Sequence, residues 1–141
     1  ERRTGSARPS PWMIQQEGSG WRLSRDPSRP LFSVLIGGEH WALELKESEA
    51  CELASLIVDL TNQHSAICDQ LMEEESITVE LERGCWWACL EGDRSRWSLR
   101  GICSGDGDQA RGLEVCWPDP AAQAIAAAMR TLWDSGNDQS S

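Results

Sequence analysis

The chain has no tyrosine, one phenylalanine (Phe32), one lysine (Lys46) and two histidines among 141 residues. No apolar run approaches the ~20 residues that a membrane-spanning helix requires. The longest uncharged apolar stretches lie near Leu31–Ile36 and Ala121–Met129. No charged-then-apolar leader opens the chain, which gives the expectation of a cytoplasmic protein without a membrane span. A nucleophile elbow, a phosphate-cradling loop, a dinucleotide turn and paired catalytic carboxylates are all missing. The expectation is a non-enzyme that needs no cofactor. No Cys-x-x-Cys occurs, and two histidines are too few for a tight zinc set, so no metal site is expected.

Six cysteines are nevertheless present. Cys85 and Cys89 fall on one strand face, but at strand rise they stand ~13 Å apart, beyond bridging or chelating reach. Cys51 and Cys68 fall on one helix, several turns apart. All six therefore read as reduced thiols that fill the core.

What is abundant is acid. Thirteen Lys+Arg against 23 Asp+Glu give a formal charge of -10. Residues 1–30 hold six arginines and three acids, which leaves the remaining chain with seven basic and twenty acidic groups. A body this negative disfavours nucleic acid, because binding requires a face that neutralises phosphates. The near absence of lysine reads as genome composition rather than interface chemistry.

Residues 1–18 are rich in Arg, Ser, Pro and Gly and read as a disordered leader. A single domain is expected over 19–134, with a disordered tail over 135–141. Trp21 and Leu23 mark a short strand, and Leu31–Ile36 a second. Gly37-Gly38 reads as a two-residue hairpin turn into Glu39–Leu45. Leu53, Ile57, Leu60, His64, Ile67 and Leu71 then form the stripe of one long helix, about 47–74. Alternation returns at Ile77–Glu82, Cys85–Glu91, Trp97–Cys103 and Leu113–Trp117, with Ser104–Gln109 as a loop. Asp119-Pro120 reads as the start of a shorter helix, about 120–133, with the Asp119 side chain as its cap. The fold class is α+β, with antiparallel sheets built from a duplicated β-β-β(-β)-α unit.

Three strings carry a resemblance: Gly18-Ser19-Gly20-Trp21-Arg22, Ile36-Gly37-Gly38-Glu39-His40-Trp41-Ala42-Leu43-Glu44-Leu45, and Leu71-Met72-Glu73-Glu74-Glu75-Ser76-Ile77-Thr78. Over about Gly18–Trp133 the chain resembles a small cyanobacterial family, the domain of unknown function DUF1818. That resemblance implies a Whirly-like fold, similar to single-stranded-DNA-binding transcriptional regulators, with two curved four-stranded sheets and helices. The family brings no catalytic residues to carry over. Its cyanobacterial setting implies a photosynthesis-related assembly or regulatory role.

Eight tryptophans are the sharpest compositional signal. Adjacent Trp86 and Trp87 must point to opposite faces of their strand, so one of them leaves the main core unless both faces are covered. Arg94, Arg96 and Arg100 cluster about Trp97. Alternation puts Arg96 and Arg100 on the face opposite Trp97 and Leu99, where neighbouring glutamates can pair with them. Trp41, beside Leu43 and Leu45 on its strand face, completes the candidate binding set of Trp41, Trp86, Trp87, Trp97, Arg96 and Arg100. His64 and Cys68 have the composition of a nucleophile pair, but both lie on the apolar stripe and read as buried. Glu73-Glu74-Glu75 reads as a solvated helix end that slightly opposes the dipole. Gly105-Asp106-Gly107-Asp108 lacks the spaced ligands of a calcium loop.

These features favour a non-catalytic domain that binds a protein partner or associates with itself as a homodimer. A single-stranded nucleic-acid binder is the alternative. A binder of a planar small ligand, such as a pigment or its precursor, between sheet and helix is the second alternative.

Overall fold

Period-two alternation of apolar and polar residues builds two sheets, and each sheet is followed by one helix. A computed structural model of the chain describes residues 13–104 and 112–140. The first sheet comprises β1 (Ile14–Gly18), β2 (Trp21–Arg25), β3 (Val34–Gly38) and β4 (Ala42–Leu45), in sequential antiparallel order. Helix α1 spans Glu47–Cys68. The second sheet comprises β5 (Ile77–Arg83), β6 (Trp86–Gly92), β7 (Trp97–Ser104) and β8 (Gly112–Trp117), again antiparallel and sequential. Helix α2 spans Ala121–Ser140. The duplicated unit is therefore four strands and a helix in each half, an α+β architecture.

The helices are exchanged between the halves. α1 follows the first sheet but lies along β5 and β6 of the second, while α2 packs on β1 and β2 of the first sheet and on β7. Leu53, Ile57, Leu60 and His64 are buried on α1, and Ile125, Met129 and Leu132 on α2. Neither half could close its core without the other's helix. Two indoles sit deep in that core with their N–H groups satisfied: Trp86 donates to the Glu49 carbonyl and Trp117 to the Gly37 carbonyl, each at 2.9 Å.

Several expectations are corrected. β1 occupies 14–18, inside the expected leader; with one apolar residue and mostly exposed positions, it is held by backbone pairing to β2 rather than by burial. The hairpin turn lies at Glu39–His40, where the Gly38 N–H donates to the Trp41 carbonyl at 2.9 Å, and both glycines belong to the β3 segment. Gly38 serves close approach instead: a Cβ there would run into the Trp41 indole. α1 is 22 residues, about 33 Å, and stops at Cys68. Past that point the stripe fails: Leu71 is only partly buried and Met72 is exposed. Glu73–Glu75 therefore lie beyond the helix, and the last turn is met by a cation, Arg94, which donates to the Cys68 carbonyl at 2.5 Å.

Asp119 does not cap α2. Its Oδ1 accepts from Gln123 Nε2 at 2.8 Å and from the Trp97 N–H at 3.3 Å, tying the helix start to β7. α2 continues to Ser140, so the segment expected as a tail from 135 is helical nearly to its end. Its polar sequence there offers no apolar stripe to mark it. The cysteines are also not all reduced: Cys85 and Cys103 form a disulfide, with Cα atoms 5.0 Å apart. Cys85 immediately precedes Trp86, the register partner of Cys103, and its carbonyl accepts from the Ser104 N–H at 3.0 Å, so strand pairing rather than sequence spacing brings the two together. Residues 1–12, Gly105–Arg111 with the acidic loop motif, and the Trp133 side chain lie outside the described residues.

Candidate functional site

Every residue of β5–β8 that does not face the helices faces outward, and there the strands align two complete rows. One reads Glu82, Trp87, Ile102, Glu114; the next reads Glu80, Cys89, Arg100, Cys116. Both helices lie on the opposite face, so among the described residues no layer covers these rows. Trp87 and Ile102 are half-buried side neighbours, and the Arg100 guanidinium carbon sits 5.5 Å from the Trp87 ring centroid. That distance is within cation–π range. The same guanidinium approaches Glu114 at 3.7 Å. With Glu91 in the adjoining row, the face carries four carboxylates around one arginine. Burial pushes the Cys89 thiol up, and Glu80, Glu91 and Cys116 add to this against the pull of Arg100.

The candidate tryptophans separate into different roles. Trp86, offered as a binding residue, is 1% exposed and bonded inward, so it is core. Trp41 packs on Trp117 at the junction of the sheets. Trp97 lies against His64, with ring centroids 6.2 Å apart and planes tilted by 57°, on the helix side of its sheet. Arg96 is not on the β7 face with Arg100. It belongs to the β6–β7 turn, where its N–H donates to Asp93 Oδ1 at 2.9 Å and its carbonyl accepts from the Asp93 N–H at 3.0 Å. The backbone N–H groups of Arg96 and Ser95 hold the Asp93 carboxyl below its ordinary range. Turn formation thus takes Arg96 out of strand alternation, and only Trp87 and Arg100 of the expected set share a face.

His64 and Cys68 do meet. The ring's Nε2–H donates to the Gly92 carbonyl at 2.9 Å, and the Cys68 sulfur lies against the ring, 3.6 Å from Nε2 and 3.8 Å from Nδ1. Both side chains are buried, as the helical stripe implies. Among the described residues no group of three His, Cys, Asp or Glu side chains converges on a metal position. No described helix is long and apolar enough to cross a membrane. Arg130, which no pattern in the sequence singles out, is carried by α2 to Thr61 and Asn62 in the C-terminal half of α1.

A protein-family model, Domain of unknown function (DUF1818), matches residues 16–132. No curated protein matches. Among solved structures, a crystal structure of a protein with unknown function from the DUF155 family of Prochlorococcus sp. NATL2A is 46% identical. It superposes with a TM-score of 0.79, covering 86% of this chain and 98% of that one. The family match takes in β2 to β8, both sheets and the described core of both helices, and the chain belongs to the DUF1818 family.

Proposed function

We propose that this chain is a non-catalytic binding domain that holds a basic protein segment on the outer face of β5–β8. The observation that carries this reading is the Trp87–Arg100–Ile102 patch set among Glu80, Glu82, Glu91 and Glu114 on an uncovered face. An aromatic and an aliphatic anchor supply apolar area, and the surrounding carboxylates select a cationic partner and repel anionic ones. Binding through this face serves an assembly or regulatory role.

A second reading, a single-stranded nucleic-acid binder, draws on the same Arg100–Trp87 contact, which has the form of a base-stacking platform. The four neighbouring carboxylates weigh against phosphate, and the protein reading is preferred for that reason.

The test is an NMR titration with three probes: an amphipathic peptide of alternating leucine and arginine, its glutamate counterpart, and a single-stranded oligonucleotide. Saturable shifts of Trp87, Cys89 and Ile102 with the arginine peptide alone, lost in Trp87→Ala/Ile102→Ser, are expected. Shifts of that face by the oligonucleotide or by the glutamate peptide overturn the proposal.

A further inference from the structure

We infer that the cleft between α1 and α2, on the helix side of β7, is a binding site for a small planar organic anion. Two adjoining cavities occupy it, of about 330 and 200 Å³, and both are lined by Thr61, Trp97 and Arg130. The larger adds Arg94, His64 and Cys68, while the smaller runs along α2 past Gln123 and Ala126. The larger alone reaches the lower end of small-ligand site volumes.

The charge of this cleft is opposite to that of the chain. In a chain with 23 acids to 13 bases, two guanidiniums line the larger cavity, and among the described residues no carboxylate lines either one. Arg130 Nη2 donates only to neutral acceptors among the described residues, Thr61 Oγ1 at 3.2 Å and Asn62 Oδ1 at 2.9 Å. Arg94 is anchored on the Cys68 carbonyl at 2.5 Å, and the Asp69 carboxylate stands 3.8 Å from it. Each guanidinium carries five N–H donors in a fixed fork, and among the described residues these contacts leave several unused. Both arginines are thus positioned, with donors remaining for an anion that would accept charge-assisted bonds.

The wall of the cleft is aromatic. His64 is locked by its bond to the Gly92 carbonyl, and Trp97 tilts against it, so the aromatic side of the cleft is rigid. A half-buried indole shared by two cavities offers a flat apolar surface to a planar ring. A ring on Trp97 with its carboxylate reaching Arg94 and Arg130 matches the wall and the charge together. This site is separate from the Trp87 face, which lies on the other side of the same sheet.

The test uses naphthoate, its uncharged amide naphthamide and inorganic phosphate, titrated by calorimetry and by NMR. Naphthoate is expected to bind saturably by millimolar concentration and to shift the Trp97 indole N–H. The amide is expected to bind at least tenfold more weakly, and phosphate not to compete at equal concentration. Arg130→Gln, on the exposed side of α2, is expected to weaken naphthoate by roughly tenfold to a hundredfold with an unchanged melting temperature. Trp87→Ala is expected to leave binding unaltered, and Arg94→Gln checks the second guanidinium independently. Equal binding of acid and amide, displacement by phosphate, unchanged affinity in both arginine variants, or shifts at Trp87 instead of Trp97 overturns the inference.

Discussion

Trp41 packs on Trp117 with ring centroids 5.3 Å apart, and this contact couples the first sheet to the last strand of the second. Trp117 then reaches across with its indole N–H to the Gly37 carbonyl, 80 residues away in sequence. The seam explains why the glycine pair is in the β3 segment: Gly38 leaves the space that the Trp41 indole fills. Trp117→Phe keeps most of the apolar volume but removes the donor, and should cost ~1–3 kcal/mol as a buried acceptor loses its partner. Gly38→Ala should destabilise by displacing Trp41 from Trp117. Urea unfolding of the two variants, followed by tryptophan fluorescence, measures both effects.

The Cys85–Cys103 bond closes a loop of 18 residues around the β6–β7 turn. Four cysteines, Cys51, Cys68, Cys89 and Cys116, stay outside it. Thiol titration in denaturant should count four thiols without reductant and six after reduction. On the loop-entropy view, reduction should lower stability by about 3 kcal/mol. A count of six before reduction would mean that the bond is absent in solution.

Glu47 links α1 to the first sheet through a two-point contact with Arg25, at 2.6 and 3.1 Å, and accepts a further bond from Ser33 at 3.0 Å. Burial pushes its carboxyl up, but the Arg25 and Ser33 bonds together with the guanidinium charge outweigh this and hold it below its ordinary value of 4.5. A carboxylate with a depressed folded pKa contributes stability that is full above the unfolded pKa and lost as pH falls through the folded one. The stability gap between wild type and Glu47→Gln should therefore be constant well above 4.5 and close as pH falls below that value. Because the pair is partly exposed, the gap at neutral pH should not exceed about 1 kcal/mol. Chemical denaturation across that pH range follows it.

Local patterns were legible where one period governs a segment. Steps of four and three placed Leu53, Ile57, Leu60 and His64 on the buried stripe of α1, though Ile67 on the same steps is exposed and Leu71 lies beyond the helix, and alternation set Trp86 and Trp87 on opposite faces. Periodicity alone could not say which of the two tryptophans is core, since that depends on which side α1 covers. β1 escaped detection because an edge strand stabilised by its backbone needs no apolar alternation. Arg96 was misplaced because Asp93 gathers the Ser95 and Arg96 N–H groups into a turn that ends the alternation one residue before β7. Arg94 and Arg130 stand 36 positions apart and meet only because α2 crosses back onto α1, an outcome of tertiary packing.

The two thiols on the outer face of the second sheet give a direct readout of whether anything covers it. Cys116 is exposed, Cys89 is half-buried beside it across Arg100, and Cys68 is buried under the end of α1. Burial also raises the Cys89 pKa, which lowers its thiolate fraction at neutral pH. Alkylation by iodoacetamide near pH 7.5 should accordingly proceed fastest at Cys116, more slowly at Cys89 and slowest at Cys68, with peptide mass spectrometry resolving the three. Docking of an arginine-rich segment on Trp87 and Ile102 should protect Cys89 and Cys116 together, since both share the Arg100 row, and leave the Cys68 rate unchanged. Naphthoate in the cleft should do neither on that face, because β5–β8 separate the two sites. Protection of Cys89 and Cys116 by naphthoate would show that the two surfaces communicate or that the anion sits on Arg100 instead.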